Sequence, residues 1–254
     1  MLIEQPPLAA LLARADAAIV DLDGTMVDTL GDFAEALNRM LHDLGLPAIG
    51  AAQIETMVGK GSEHLLRLVL NHVLGHTEQA QTAIEIEAKV EALYPRAWER
   101  YQHHYLAING QFARVYPGVR EGLDTLRRAG LTLACLTNKP TAFALPLLRA
   151  KGLDGFFGHV FGGDAFACKK PDPLPLLKTC AALGTLPART LMIGDSSNDA
   201  QAARAAGCPV VLVTYGYNHG QPVRAVDADG FIDTLHDLLP AAAPGPRSRV
   251  SAGG

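Results

Sequence analysis

The chain has 254 residues and a formal net charge of −4, with 48% hydrophobic and 19% charged residues. This composition excludes a disordered chain and suffices for one large domain, or for a core carrying a smaller insert. The mildly acidic balance supplies no global field for nucleic acid or an anionic membrane, so any anionic ligand needs local positive charge. No apolar run approaches the ~18 residues that span a bilayer. The four cysteines, Cys135, Cys168, Cys180 and Cys208, have no CxxC spacing. They read as small core residues in a reducing compartment rather than as a disulfide framework or a zinc site.

The first 15 residues lack a basic n-region and carry Glu4, Pro6 and Pro7. No signal peptide is expected there, and a cytoplasmic location is the expectation. Residues 17–20 form a short apolar run that stops at Asp21-Leu22-Asp23-Gly24-Thr25, as a buried parallel strand does. Residues 29–114 break that pattern. Leu37, Met40, Leu41 and Leu44 share a helical face, as do Leu65, Leu66, Val69, Leu70 and Val73. A long helix is expected from Glu78 towards Leu106, with Pro95 as a kink or break. Its cluster Trp98, Tyr101, His103, His104 and Tyr105 reads as packing within this region.

Beyond it, strand-like runs at 131–136, 159–161, 191–193 and 210–213 alternate with helical patterns at 119–129, 142–151, 174–183 and 198–206. The alternation predicts an α/β fold, a doubly wound parallel sheet with ligands bound beyond the carboxyl ends of its strands. The expected division is a core of residues 1–28 and 114–240, a helical insert of 29–113, and a disordered tail of 241–254.

Four polar clusters fall at the ends of these strands. Asp21 and Asp23 stand two apart, so both side chains can face one site, where a hard divalent cation would relieve their repulsion. Thr137-Asn138-Lys139-Pro140 offers a hydroxyl and amides for an anionic oxygen. Lys169-Lys170-Pro171 holds a lysine on a rigid turn, a compact charge for carboxylate or phosphoryl oxygen. Gly194-Asp195-Ser196-Ser197-Asn198-Asp199 brings two more acids, one helical turn apart. Taken singly, each cluster also has a bland reading, as a helix cap or a solvated loop.

Together, DxDGT at 21–25, Thr137, Lys170 and GDxxxD at 194–199 resemble the four motifs of the haloacid dehalogenase-like hydrolase superfamily. The resemblance implies a Rossmann-like core with an all-helical cap inserted between the first and second motifs. Val58-Gly59-Lys60-Gly61, Tyr116-Pro117-Gly118-Val119, Leu136-Thr137-Asn138-Lys139-Pro140, Gly207-Cys208-Pro209 and Thr214-Tyr215-Gly216-Tyr217-Asn218 are similar to the phosphoglycolate phosphatase group. The likeness extends over about residues 19–240.

By this resemblance Asp21 is the nucleophile that forms an aspartyl-phosphate, and Asp23 is the general acid and then base. Mg²⁺ is the implied cofactor, held by the Asp21 side chain, the Asp23 carbonyl and the Asp195 side chain, with Asp199 supporting it from behind. Thr137, Asn138 and Lys170 are the implied phosphate-binding residues. Lys60 and the main-chain amides of the Gly59-Lys60-Gly61 turn are candidates for the substrate's carboxylate, and Lys139 is unassigned. An acid at position 23 favours phosphate esters, because family dehalogenases lack it. The implied reaction is hydrolysis of a small anionic phosphoester, 2-phosphoglycolate, to glycolate and phosphate. Related activities stay open at this point: a sugar-phosphate phosphatase, a pyrophosphatase, a β-phosphoglucomutase, or a non-catalytic phosphate-binding module. The cap is expected to swing on hinges near 27–30 and 112–116, and no pattern distinguishes a monomer from a homodimer.

Overall fold

The computed structural model describes residues 8–77 and 82–238. The expected helix start at Glu78 and the tail over 241–254 lie outside the described residues. A short helix α1 (Leu8–Arg14) leads into β1 (Ala17–Val20), and β2 (Val27–Asp28) follows the first acidic cluster. Four helices come next: α2 (Leu30–Asp43), α3 (Ala51–Glu55), α4 (Ser62–Thr77) and α5 (Ala83–Ile108). The chain then alternates through β3 (Arg114–Val115), α6 (Val119–Arg128), β4 (Thr132–Leu136), α7 (Thr141–Ala150), β5 (His159–Phe161) and α8 (Leu174–Leu183). It continues through β6 (Thr190–Gly194), α9 (Ser197–Ala206), β7 (Val210–Val213) and β8 (Gly230–Ile232).

Six strands form one parallel sheet in the order β5-β4-β1-β6-β7-β8. Each central strand is apolar on both faces because each face meets its own core. Ala18, Val20, Leu133, Cys135, Leu191, Ile193, Val211 and Val213 pack to one side. Ile19, Leu136, Met192, Val210 and Leu212 pack to the other, against Leu176, Ala202 and Ala203 of the helices. The chain runs outward from β1 to β4 and β5, then returns to β6 on the opposite flank of β1. The carboxyl end of β1 is therefore the switch point of the sheet, where such folds bind ligands.

The α2–α5 segment is all-helical, as expected, and builds a separate cluster around Leu37, Met40, Leu41, Leu66, Leu70, Tyr101 and Tyr105. Phe143 of α7 and Tyr217, which follows β7, complete that cluster from the sheet side. Helix α5 begins at a capping box, in which Glu85 N donates to Thr82 Oγ1 (3.3 Å) and Thr82 N donates back to Glu85 Oε2 (2.8 Å). It runs through Pro95 without a break, so of the expected kink or break the break does not occur. Val90 on one side of the proline, and Ala97, Tyr101 and Tyr105 on the other, all bury into one cluster, and that packing outweighs the lost hydrogen bond.

Where the insert leaves and rejoins the sheet, β2 and β3 pair antiparallel. The fully buried Asp32 accepts from Gly110 N (2.7 Å) and Phe112 N (2.8 Å), tying the returning chain to α2. Among the described residues no helix is long and apolar enough to cross a membrane.

Candidate active site

The loop after β1 starts as a continuation of the ladder, with Asp21 N donating to Ile193 O (2.9 Å). It then folds back, because Met26 N and Val27 N both donate to Leu22 O (3.0 Å each). Gly24 turns at φ +83°, and a Cβ there would stand 2.2 Å from Asp195 Oδ2. Only glycine allows both the positive φ and this approach of the two loops. Asp21 and Asp23 line the same pocket, as the i, i+2 spacing predicts.

Three carboxylates meet there. Oxygens of Asp21, Asp195 and Asp199 lie within 4.8 Å of one another, all buried. Asp195 accepts from Thr25 Oγ1 (3.1 Å) and Tyr217 N (2.6 Å). Burial raises its pKa well above the usual carboxylate range, and the Asp199 and Asp21 charges add to the effect. Asp21 is pushed up to about 7, by burial first; the Lys170 charge opposes this and the Asp199 charge reinforces it. Lys170 Nζ lies 2.8 Å from Asp21 Oδ1, yet that buried oxygen receives no hydrogen bond of good geometry. Three buried acids set against the single ammonium of Lys170 are a donor set suited to a hard divalent cation.

Asp199 sits in the first turn of α9 and is fully committed. Its Oδ2 accepts from Asp195 N and Ser196 N (3.2 Å each) and from Ser196 Oγ (2.9 Å). Its Oδ1 accepts from Lys170 Nζ (2.7 Å). Lys170 also donates to Leu136 O (2.9 Å). Burial alone would lower the Lys170 pKa, but the charges of Asp199 and Asp21 outweigh it, so the ammonium stays charged. Thr137 lines the pocket from the end of β4, and its Oγ1 accepts from Lys139 N (3.2 Å).

A family model of haloacid dehalogenase-like hydrolases matches residues 15–207, most of the chain and all four clusters. The chain belongs to the haloacid dehalogenase-like hydrolase family. It is 42% identical over 220 residues to a phosphoglycolate phosphatase of Thiobacillus denitrificans, covering 86% of this chain and 92% of that one. A plasmid-borne phosphoglycolate phosphatase of Cupriavidus necator is 42% identical over 234 residues, covering 92% and 95%. Among solved structures, a predicted phosphoglycolate phosphatase from Haemophilus somnus superposes with a TM-score of 0.81 at 33% identity, covering 89% of this chain and 96% of that one.

In this member of the haloacid dehalogenase-like hydrolases the helical insert closes the pocket with Phe33, Val58, Gly59, Gly61, Ser62 and Leu65. Two residues differ from their sequence-based assignments. Lys60 is exposed and does not line the pocket; its glycine neighbours do. The Asn138 side chain has no donor left for phosphate. Its Nδ2 donates to Lys170 O (2.8 Å) and Gly59 O (3.2 Å), and its Oδ1 accepts from Lys170 N (3.0 Å). Asn138 thus fixes the Lys170 loop, where the Lys170–Pro171 peptide is cis, and grips the insert. A phosphate contact from this position falls to its main chain.

Sequence reasoning missed Asn198, whose Nδ2 also donates to Gly59 O (3.2 Å). It also missed the work of Tyr217. The Tyr217 hydroxyl accepts from Thr29 N (2.9 Å) and Leu30 N (3.1 Å) and donates to Asp28 Oδ1 (2.5 Å), while Tyr217 N holds Asp195. The Tyr-Gly-Tyr segment was the signal; its partners, nearly 190 residues away, were not visible in it.

Proposed function

We propose that this protein is a phosphomonoesterase that hydrolyses 2-phosphoglycolate to glycolate and inorganic phosphate. One observation carries the reading: Asp21 stands at the switch point of the sheet with a buried carboxylate paired to Lys170, in one pocket with Asp23, Thr137 and Asp195. The relatives named phosphoglycolate phosphatase, matched over nearly their full length, support the choice of substrate.

In the first half-reaction an Asp21 oxygen attacks phosphorus in line, and the bond to the ester oxygen breaks. Asp23 gives its proton to the departing oxygen, releasing glycolate and leaving an aspartyl-phosphate. In the second, Asp23 takes a proton from water, the water oxygen attacks phosphorus, and the Asp21 carboxylate leaves. Lys170, held by Asp199 and Leu136 O, pairs with the Asp21 carboxylate and offsets its charge, and the Thr137 hydroxyl faces the non-bridging oxygens. The Asp21 and Asp195 side chains and the Asp23 carbonyl would hold Mg²⁺, with Asp199 fixing their surroundings. A cation there supplies charge neutralisation for a carboxylate that must approach a phosphate dianion. Residues 29–113 act as a cap over the core of 1–28 and 114–240, excluding bulk water from the intermediate.

The test is phosphate release from about twenty small phosphoesters, with and without EDTA, by wild-type protein and Asp21→Asn. We expect 2-phosphoglycolate to lead the panel, EDTA to abolish release, and Asp21→Asn to reduce turnover by about 10³-fold or more, as removal of a covalent nucleophile does. Normal turnover by Asp21→Asn would refute the nucleophile. Isomerisation of a sugar phosphate without net phosphate release would show a mutase instead.

A further inference from the structure

Lys139 is the buried charge that the mechanism above leaves without a task. Its side chain is wholly enclosed, and its ammonium lies 3.0 and 3.2 Å from the two carboxylate oxygens of Asp23. The rings of Phe33 on α2 and Tyr105 on α5 cover it, each centroid 4.6 Å from Nζ. Lys170, the other buried ammonium, is committed to Leu136 O, Asp199 and Asp21. Lys139 has three N–H donors, and among the described residues its only hydrogen-bond acceptor is the Asp23 carboxylate. A buried ion pair repays its desolvation only when its remaining donors are also satisfied. The Tyr105 hydroxyl, on a ring that covers this ammonium, is likewise buried without a hydrogen-bond partner among the described residues.

The placement relates these open donors to the leaving group. The ester oxygen of the substrate must lie against Asp23 to receive its proton. In a glycolate ester the carboxylate carbon is the second atom beyond that oxygen, so the carboxylate falls beside whatever adjoins Asp23. The adjoining group is the Lys139 ammonium. We propose that Lys139 is the residue that selects the leaving group: its ammonium donates to the substrate carboxylate while still touching Asp23, favouring phosphoesters that bear a carboxylate on the ester carbon. The assignment rests on the phosphomonoesterase reading above. Because two walls around the ammonium belong to the insert, selection operates when the insert is seated and water is excluded, where a charged hydrogen bond is strongest.

The experiment compares 2-phosphoglycolate with ethyl phosphate, which has the same ester and a methyl in place of the carboxylate, for wild type, Lys139→Met and Lys139→Arg with Mg²⁺ present. In Lys139→Met we expect the kcat/KM ratio of the two substrates to fall by about 10–100-fold, the worth of a charge-assisted hydrogen bond, and Lys139→Arg to recover part of it. A binding measurement on the wild-type protein does not depend on any variant folding. Calorimetry should show 3-phosphonopropionate binding at least about tenfold tighter than propylphosphonate. Equal loss on both substrates in the variants, or equal binding of the two phosphonates, overturns the assignment and leaves the phosphatase reading intact. No phosphate release from 2-phosphoglycolate by wild type overturns that reading, and this assignment with it.

Discussion

Asp21 works against the stability of the metal-free protein. It shares a buried cluster with Asp195 and Asp199, and one ammonium, Lys170, offsets them. A carboxyl raised from 3.8 to about 7 binds a proton in the folded state that the unfolded chain has already released. The folded state therefore holds the extra proton between about pH 4 and 7, and stability of the metal-free protein declines as pH rises through that window. A divalent cation competes with this proton and with the one that burial favours on Asp195, so its affinity should climb as pH rises. Calorimetric titration from pH 5.5 to 8.5 checks this, and an affinity that falls as pH rises would contradict it. Asp21→Asn removes one of the clustered charges. At pH 8 in EDTA we expect its thermal midpoint to lie roughly 2–4 °C above wild type, the shift for about 1 kcal/mol in a chain of this size. A lower midpoint would mean that the Asp21–Lys170 pair stabilises the fold more than the repulsion harms it.

At the scale of elements, strands β1, β4 and β6 carry the acids and the threonine to one edge of the sheet, and the segment after β7 locks that edge to the insert. Tyr217 does so with both ends. Its main-chain N–H holds Asp195, and its hydroxyl holds Asp28 and the amides that start α2. Gly216 lets it approach, since a Cβ there would stand 2.2 Å from Asp195 Cβ. Tyr217→Phe keeps the main-chain bond and strands the Thr29 amide, while Leu30 N still donates to Asp28 Oδ1 (3.2 Å). We expect a loss of about 1–3 kcal/mol in urea unfolding, with cation affinity within about threefold of wild type; a large loss of cation affinity would show that the hydroxyl governs Asp195 as well. The strands flanking β1 were legible in the sequence because burial on both faces leaves continuous apolar runs. Strand β8 was not legible, because Gly230, Phe231 and Ile232 are three residues at the sheet edge, and neither were the two-residue strands β2 and β3. Three of the four motif clusters were legible as types at strand ends; the Lys170 cluster lies instead in the loop between β5 and α8. What Asn138 and Lys139 do was not legible, because their partners are Gly59, 79 residues away, and Asp23, 116 residues away.

For the whole molecule, the contacts between insert and core fall into two groups of different strength. On the hinge side the β2–β3 pair and the two hydrogen bonds of Asp32 tie the two connecting segments to each other, and an apolar cluster joins insert to core through Phe143 and Tyr217. On the pocket side the contacts are polar and few: the Asn138 and Asn198 amides on Gly59 O, and an ion pair between Lys169 and Glu63. Apolar burial resists separation over the whole shared area, whereas two amide bonds to one carbonyl are worth about 1 kcal/mol each and can be replaced by water. If the insert opens, it opens at Gly59 and turns about the β2–β3 ribbon. Asn198→Ala removes one of the two amides. In ligand-free protein we expect amides around Val58–Ser62 to exchange up to about fivefold faster, the factor for about 1 kcal/mol, with amides in the middles of α2 and α5 unchanged. Adding Mg²⁺ and 3-phosphonopropionate should restore slow exchange at the loop, because a ligand bound between the two surfaces stabilises the seated arrangement. Faster exchange spread evenly through α2, α4 and α5 would show the insert unfolding rather than turning as a unit, and no change at the loop would show that the Asn198 amide does not hold the pocket shut.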